Sequence, residues 1–150
     1  MNRAELRRQL LQESDTLRLG AWLGEQLQQR YNGSAVVFLQ GQLGAGKTTL
    51  VRGLLQALGH QGSVKSPTYT LLEPYNIDGL EVFHFDLYRV ENPQELEFIG
   101  FDEIVDGPGL KLFEWAEKAS DWLPAPDVTL HLRVNAQTQP ISREADIVLG

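Results

Sequence analysis

The chain has 150 residues, of which 42% are hydrophobic and 22% are charged, a composition typical of a globular protein with one core. It contains no cysteine, which excludes disulfide bonds and zinc sites built on thiolates. The formal net charge of −7 indicates that the chain does not bind nucleic acid by itself, because the phosphate backbone is also negative.

The N-terminal thirty residues predict a helix and no targeting signal. Residues 1–12 carry three arginines but no uninterrupted apolar core, so they do not resemble a signal peptide. No segment approaches the roughly 18 apolar residues of a membrane span, and we expect a cytoplasmic protein. From Leu10 to Gln29, apolar residues recur on one helical face, with Ser14 or Asp15 as the cap.

A glycine-rich segment follows, and it carries the most specific chemistry of the chain. Residues 41–49 read GQLGAGKTT and match the phosphate-binding pattern G-x-x-x-x-G-K-[ST] at every fixed position. The glycines allow consecutive backbone N–H groups to surround one anion. Lys47 supplies a positive charge for the β- and γ-phosphates, and the Thr48 hydroxyl is suited to ligate Mg²⁺.

The flanks of this segment agree with the pattern. Ala35–Leu39 is a continuous apolar run that predicts a buried strand, and leucines at helical spacing after Lys47 predict a helix that ends at Gly59. A strand, a loop and a helix in this order direct the helix N-terminus at a phosphate. The sequence therefore predicts a nucleotide site.

The remaining elements predict an α/β sheet. Tyr69–Tyr75 and Glu81–Leu87 predict a hairpin around the turn 76–79, and Asn92-Pro93 predicts a short helix that ends by Gly100. Three further strands are predicted, the last as an edge strand: Lys111–Trp115, Val128–Val134 and Asp146–Leu149. We expect one domain over residues 1–150, a three-layer P-loop NTPase-like fold with a mixed, mostly parallel central sheet.

Two carboxylates are candidates for completing the site. Asp86 and Glu114 each follow an apolar run and so fall near the carboxyl end of a strand, which is the sheet edge where ligands bind. Ser66-Pro67-Thr68 is suited to a switch that closes over the γ-phosphate. We expect His84 to be a strand residue rather than a base.

Acidic residues dominate the second half of the chain. Residues 81–150 contain fourteen acids and five bases, and the stretch from Glu91 to Asp106 contains six acids and no base. Such a surface repels a phosphate backbone. Two interpretations stay open: a solvated face that aids solubility, or a docking surface for a basic partner.

Taken in order, these motifs resemble the TsaE family, the ATPase component of bacterial tRNA threonylcarbamoyladenosine (t6A) synthesis. The resemblance covers roughly residues 13–135 and rests on five segments: 41–49, 66–71, 84–89, 95–100 and 114–115. It implies binding of ATP and Mg²⁺, slow hydrolysis by the chain alone, and action together with TsaD and TsaB. In such systems those partners transfer the threonylcarbamoyl group to tRNA, which this chain would contact only through them.

The resemblance also implies roles for individual residues. Thr48 and Glu114 would ligate Mg²⁺, Asp86 would support the metal or the attacking water, and Thr68 would act from the switch. Lys47, Asp86, Glu114 and Thr68 are thus the expected catalytic residues. The expected nucleotide contacts are Gly41, Gly44, Ala45, Gly46, Lys47, Thr48 and Thr49 in the loop, Glu13 to Thr16 near the base, and Arg143.

The function favoured by the sequence is ATP turnover that resets or remodels a partner complex. Two alternatives share the same loop: a small-molecule kinase, and a binding module whose conformation is controlled by a nucleotide. A kinase commonly has an arginine-rich lid, and the segment after the loop helix has few basic residues.

Overall fold

A seven-stranded mixed sheet with helices on both faces forms the framework of the chain, which the computed structural model describes from residue 3 to residue 150. The strands are β1 (Ala4–Leu10), β2 (Ala35–Gln40), β3 (Leu72–Ile77), β4 (Leu80–Asp86), β5 (Leu110–Glu114), β6 (Val128–Asn135) and β7 (Ser142–Leu149). The α-helices are α1 (Glu13–Tyr31), α2 (Lys47–Ala57) and α3 (Phe101–Asp106), and two 3₁₀ helices span Pro93–Ile99 and Ala116–Trp122.

The centre of the sheet is parallel and its two margins are antiparallel. The strand order is β1-β7-β6-β2-β5-β4-β3. Strands β6, β2, β5 and β4 run parallel, whereas β3 pairs with β4, and β7 with both β6 and β1, in antiparallel fashion. The carboxyl ends of the parallel strands therefore share one edge of the sheet, as a ligand-binding α/β fold requires.

Helices α1 and α2 cover one face and approach each other through glycine. A Cβ atom on Gly53 would lie 2.2 Å from the carbonyl oxygen of Leu17, and one on Gly20 would lie 2.1 Å from that of Leu50. Any larger residue would force the helices apart. This contact fixes the start of α2, and with it the phosphate loop, against the N-terminal helix.

The opposite face is covered by α3 and the two 3₁₀ helices, over an aromatic cluster. The rings of Phe85 and Phe113 stack with centroids 4.7 Å apart, and Phe101 contacts both edge-on. All three side chains are buried. The prediction of a three-layer α/β fold with a mixed sheet is confirmed.

The N-terminal part differs from the sequence prediction. Residues 4–10 form a strand that pairs along its whole length with β7, so β7 lies inside the sheet and its prediction as an edge strand was wrong. The segment AELRRQL has weak strand propensity, and the pairing with β7 overrides it. Helix α1 begins at Glu13, and Asp15 accepts hydrogen bonds from the N–H groups of Leu11 and Gln12.

The other predicted elements are present with small shifts of their ends. The predicted helix after Asn92 is a 3₁₀ helix, in which the Asn92 side chain accepts a hydrogen bond from the N–H of Gln94. It ends at Gly100, whose φ of 71° lies in the left-handed region, and α3 begins at the next residue. Within residues 3–150, no helix is both long enough and apolar enough to cross a bilayer.

Candidate nucleotide-binding site

A cavity of about 400 Å³ lies at the carboxyl edge of the parallel strands, beside the phosphate loop. It is formed by five parts of the chain: α1, the loop with the start of α2, the segment 66–68, the ends of β4 and β5, and β7. Its lining comprises Glu13, Thr16, Leu43, Gly44, Gly46, Lys47, Thr48, Thr49, Ser66, Thr68, Asp86, Glu114 and Arg143. Gly41 and Ala45, also expected as nucleotide contacts, belong to the loop but not to this lining.

The loop backbone depends on glycine. Gly44 and Gly46 have φ values of 83° and 106°, in the region that favours glycine. A Cβ atom on Gly41 would lie 2.8 Å from the carbonyl oxygen of Leu132. Because the N-cap Gly46 has no side chain, the first amides of α2 are left for an anion at the helix N-terminus.

Lys47 is the first residue of α2, and its ammonium group is almost fully buried. Its side chain is 6% exposed. The Nζ atom donates a hydrogen bond to the Gly41 carbonyl oxygen at 2.6 Å, lies 3.5 Å from Glu114 Oε1, and sits 4.7 Å from the centroid of the Trp115 ring. A buried charge needs such compensation, and these three contacts hold the ammonium at the loop.

Glu114 and Asp86 end the two neighbouring strands β5 and β4 and lie opposite each other in register. Both side chains are buried. Glu114 Oε2 accepts a hydrogen bond from His84 Nε2 at 2.6 Å. The pairing brings two carboxylates to the edge of the sheet next to Lys47, as sequence reasoning expected from their positions after apolar runs.

The expected switch segment is tied to Asp86. The Thr68 hydroxyl donates to Asp86 Oδ2 at 3.1 Å and lies 2.8 Å from the Ser66 hydroxyl. Asp86 Oδ1 accepts from the N–H of Tyr88 at 3.0 Å. Leu71 closes the segment with a φ of 72°, and its carbonyl oxygen accepts from the N–H of Asp86.

The N- and C-terminal segments also reach the loop. Arg143 Nη2 donates to the Gly44 carbonyl oxygen at 3.1 Å. Thr16 is buried on α1 with its methyl group facing Gly46, and Glu13 pairs with Arg52 at 3.4 Å. The residues expected near the base and at the C-terminus therefore line the same cavity as the loop.

Sequence reasoning missed two features of the site. His84 is a strand residue as expected, but its ring contacts Glu114; the alternation in His84-Phe85-Asp86 places His84 and Asp86 on one face of β4 and could have signalled this. The second feature is Trp115, whose partly buried ring packs against the aromatic cluster and also lies over Lys47, with a φ of 58° in the left-handed region. A bulky residue there is uncommon and typical of constrained sites.

The fold and this cavity define a P-loop-type α/β domain. Residues 10–145 match the family described as threonylcarbamoyl adenosine biosynthesis protein TsaE. The chain is 45% identical over 139 residues to a tRNA threonylcarbamoyladenosine biosynthesis protein TsaE of Haemophilus influenzae, an alignment that covers 92% of this chain and 88% of that protein. A protein of the same name from Treponema pallidum is 42% identical over 122 residues, or 81% and 87% of the two chains.

A solved structure agrees with these relatives. The crystal structure of Bacillus subtilis YdiB superposes with a TM-score of 0.72 at 25% sequence identity, over 99% of this chain and 88% of that one. The chain belongs to the TsaE family, and the family resemblance inferred from the motifs is confirmed. It is a protein of the t6A biosynthesis system.

Proposed function

We propose that the chain binds ATP with Mg²⁺ and hydrolyses it slowly, as the ATPase subunit of the t6A machinery, and that TsaD and TsaB stimulate this turnover. One observation carries the proposal: a buried lysine and two buried carboxylates meet where a glycine-rich loop opens onto a helix N-terminus. Loop amides and a lysine bind phosphates, and carboxylates beside them hold a cation.

The donor set fits Mg²⁺ that arrives with a nucleotide. Among residues 3–150, no group of three or more His, Cys, Asp or Glu side chains forms a metal site by itself. Mg²⁺ in nucleotide enzymes uses one or two carboxylates, waters and substrate phosphates. Thr48 and Glu114 would hold the ion, with Asp86 beside them, and the bound ion would neutralise charge on the phosphates.

The remaining residues would bind and enclose the nucleotide. Lys47 would move its ammonium group from the Gly41 carbonyl oxygen to the β- and γ-phosphates. Thr68, held by Asp86, would close the switch over the γ-phosphate and separate the site from bulk solvent, leaving room for the attacking water. Arg143 lies against Gly44 and would add a positive charge at the loop, and Glu13 and Thr16 would border the base.

The charge distribution supports a role that acts through partner proteins. Fourteen acids against five bases in residues 81–150 disfavour direct contact with tRNA. We infer that turnover of ATP resets or remodels the TsaD–TsaB complex after each transfer, while those partners hold the tRNA, and that the chain acts in the cytoplasm.

The first test compares ATP hydrolysis by the chain alone and with TsaD and TsaB. We expect weak turnover alone and strong stimulation by the partners. The variant Lys47→Ala should lose on the order of 10²-fold in turnover, because an electrostatic contact to the phosphates is gone. The matched control is Lys118→Ala, an exposed lysine outside the cavity lining.

Other outcomes would contradict the proposal. Transfer of phosphate to a metabolite would indicate the kinase, and nucleotide binding without turnover under any condition would indicate the binding module. Many rounds of t6A formation by TsaD and TsaB without this chain, or without ATP hydrolysis, would refute the resetting role.

A further inference from the structure

The two oxygens of the Glu114 carboxylate have different partners. Oε1 lies 3.5 Å from Lys47 Nζ at the cavity, and Oε2 lies 2.6 Å from His84 Nε2, away from the loop residues. His84 is fully buried on β4, the strand next to the one that carries Glu114. The carboxylate is therefore held from behind by one group while its other oxygen faces the site.

The hydrogen-bonding pattern of His84 points to a dedicated contact. A carboxylate can only accept, so His84 Nε2 carries the proton and donates it. The distance of 2.6 Å is shorter than that of an ordinary N–H···O bond, and a charged acceptor shortens such bonds. The other ring nitrogen, Nδ1, is buried and has no hydrogen-bond partner among the described residues.

An unpaired buried nitrogen costs stability, and an apolar residue of similar size would avoid that cost. The polar part of this ring makes one contact, with Glu114, although the neighbouring residues on the same face of β4 and β5 are apolar: Val82, Leu110 and Leu112 are all buried. A role in folding alone does not explain a histidine at this position.

We propose that His84 is a positioning residue for Glu114: its Nε2–H holds Oε2 so that Oε1 faces the phosphate loop. This inference rests on the proposed function, in which Glu114 holds the cation. Glutamate has three rotatable side-chain bonds. Without His84 the carboxylate would turn and pair with Lys47 through both oxygens, which would occupy the lysine as well as the carboxylate.

The matched pair His84→Gln and His84→Asn separates this role from a structural one. The glutamine amide nitrogen reaches about the position of Nε2, whereas the asparagine amide falls short, near Nδ1. We expect His84→Asn to lower the turnover number for Mg²⁺–ATP about 10- to 100-fold, the usual cost of losing a group that orients a metal ligand. His84→Gln should restore most of it, and the affinity for ATP without Mg²⁺ should change little in either variant.

A control variant completes this comparison, and the melting temperature of each variant shows whether it is folded. His131→Gln changes an exposed histidine on β6 and should leave turnover unchanged. If the Asn and Gln variants are folded and lose turnover equally, or if neither loses any, the positioning role is refuted. If His84→Asn does not fold, the hydrogen-bond measurement described next, which does not use that variant, tests the contact.

A second measurement does not depend on activity. In the free protein labelled with ¹⁵N-histidine, we expect the His84 Nε2–H to give a resonance protected from solvent exchange, assigned by its absence in His84→Gln. Substitution Glu114→Ala should abolish that protection. A resonance unaffected by Glu114→Ala would overturn the proposal. If the protected resonance is present but wild type never hydrolyses ATP, the proposed function fails while the contact stands.

Discussion

The molecule contains two clusters in which oppositely charged side chains are paired. The distances between paired atoms are similar in the two clusters, whereas the exposure of the side chains to solvent is very different. The buried charge cluster comprises Lys47, His84, Asp86 and Glu114, whose side chains are almost inaccessible. The surface charge cluster, on β1, β6 and β7, comprises Arg7, Arg133, Glu144 and Asp146, whose side chains are 31% to 74% exposed. Contacts such as Arg7 Nε to Asp146 Oδ1 at 2.8 Å match those of the buried cluster.

Exposure to solvent determines how strongly the charged side chains of each cluster interact. Exposed pairs are screened by water and salt and contribute little to stability. Buried charges pay for desolvation, and removal of one partner strongly affects the rest. Stability alone therefore does not account for the buried charge cluster, and buried charges in a cleft are candidates for function.

The largest expected effect follows substitution Glu114→Gln in the buried charge cluster. The change keeps the size of the side chain but removes the negative charge that would hold the cation. We expect the turnover number for Mg²⁺–ATP to fall on the order of 10²- to 10³-fold, measured with saturating nucleotide.

The matched control for that variant is Glu144→Gln, the same chemical change in the surface charge cluster. We expect its turnover to stay within about two-fold of wild type, since exposed pairs act weakly and locally. Equal losses in the two variants would remove the distinction between the clusters, and unchanged turnover in Glu114→Gln would refute its assignment to the cation.

A smaller effect is expected for Asp86→Asn. The substitution retains one oxygen acceptor but removes the charge to which the Thr68 hydroxyl donates, so the switch segment is held less firmly. We expect a loss of turnover of about 10- to 100-fold, typical of groups that orient a site. Limited proteolysis at residues 66–70 should be faster than in wild type; unchanged turnover and unchanged cleavage would contradict this role.

The sequence predicted the parallel centre of the sheet better than its margin. Continuous apolar runs in β2 and β5 and the glycine-rich loop are strong local signals, and the structure has each of them. Strand β1 has polar residues at most positions and became a strand only by pairing with β7. That pairing is a long-range contact that no local pattern contains.

The candidate site shows the same contrast between residues that local motifs predict and contacts that they do not. Fixed motif positions and strand ends were sufficient to predict Lys47, Asp86 and Glu114 at one edge of the sheet. The partner of Glu114 was not predicted, because a histidine in an alternating strand does not reveal which side chain lies opposite. The contact of Arg143 with Gly44 joins residues 99 positions apart, and the family resemblance, rather than spacing, suggested it.

The smallest expected effect is on stability, in the surface charge cluster. Hydrogen bonds from Arg133 and Arg7 lower the pKa of Asp146 from its ordinary 3.8 to about 2. The lowered pKa means that the charged form favours the folded state, so this stabilisation is complete above about pH 4 and is lost as the pH falls toward 2. We expect Asp146→Asn to lower the free energy of unfolding at pH 7 by about 0.5–1 kcal/mol, and by less in high salt.

Urea unfolding between pH 7 and pH 2 measures this difference. Because asparagine does not titrate, the difference between wild type and Asp146→Asn should shrink across that acidic window. The exposed Asp121, changed to Asn, serves as the control and should leave stability at pH 7 unchanged, and turnover should be unaffected by either substitution. A loss of several kcal/mol in Asp146→Asn, independent of salt, would contradict this expectation. It would mean that the exposed charge pairs contribute to stability as strongly as buried ones, so that exposure does not distinguish the two clusters.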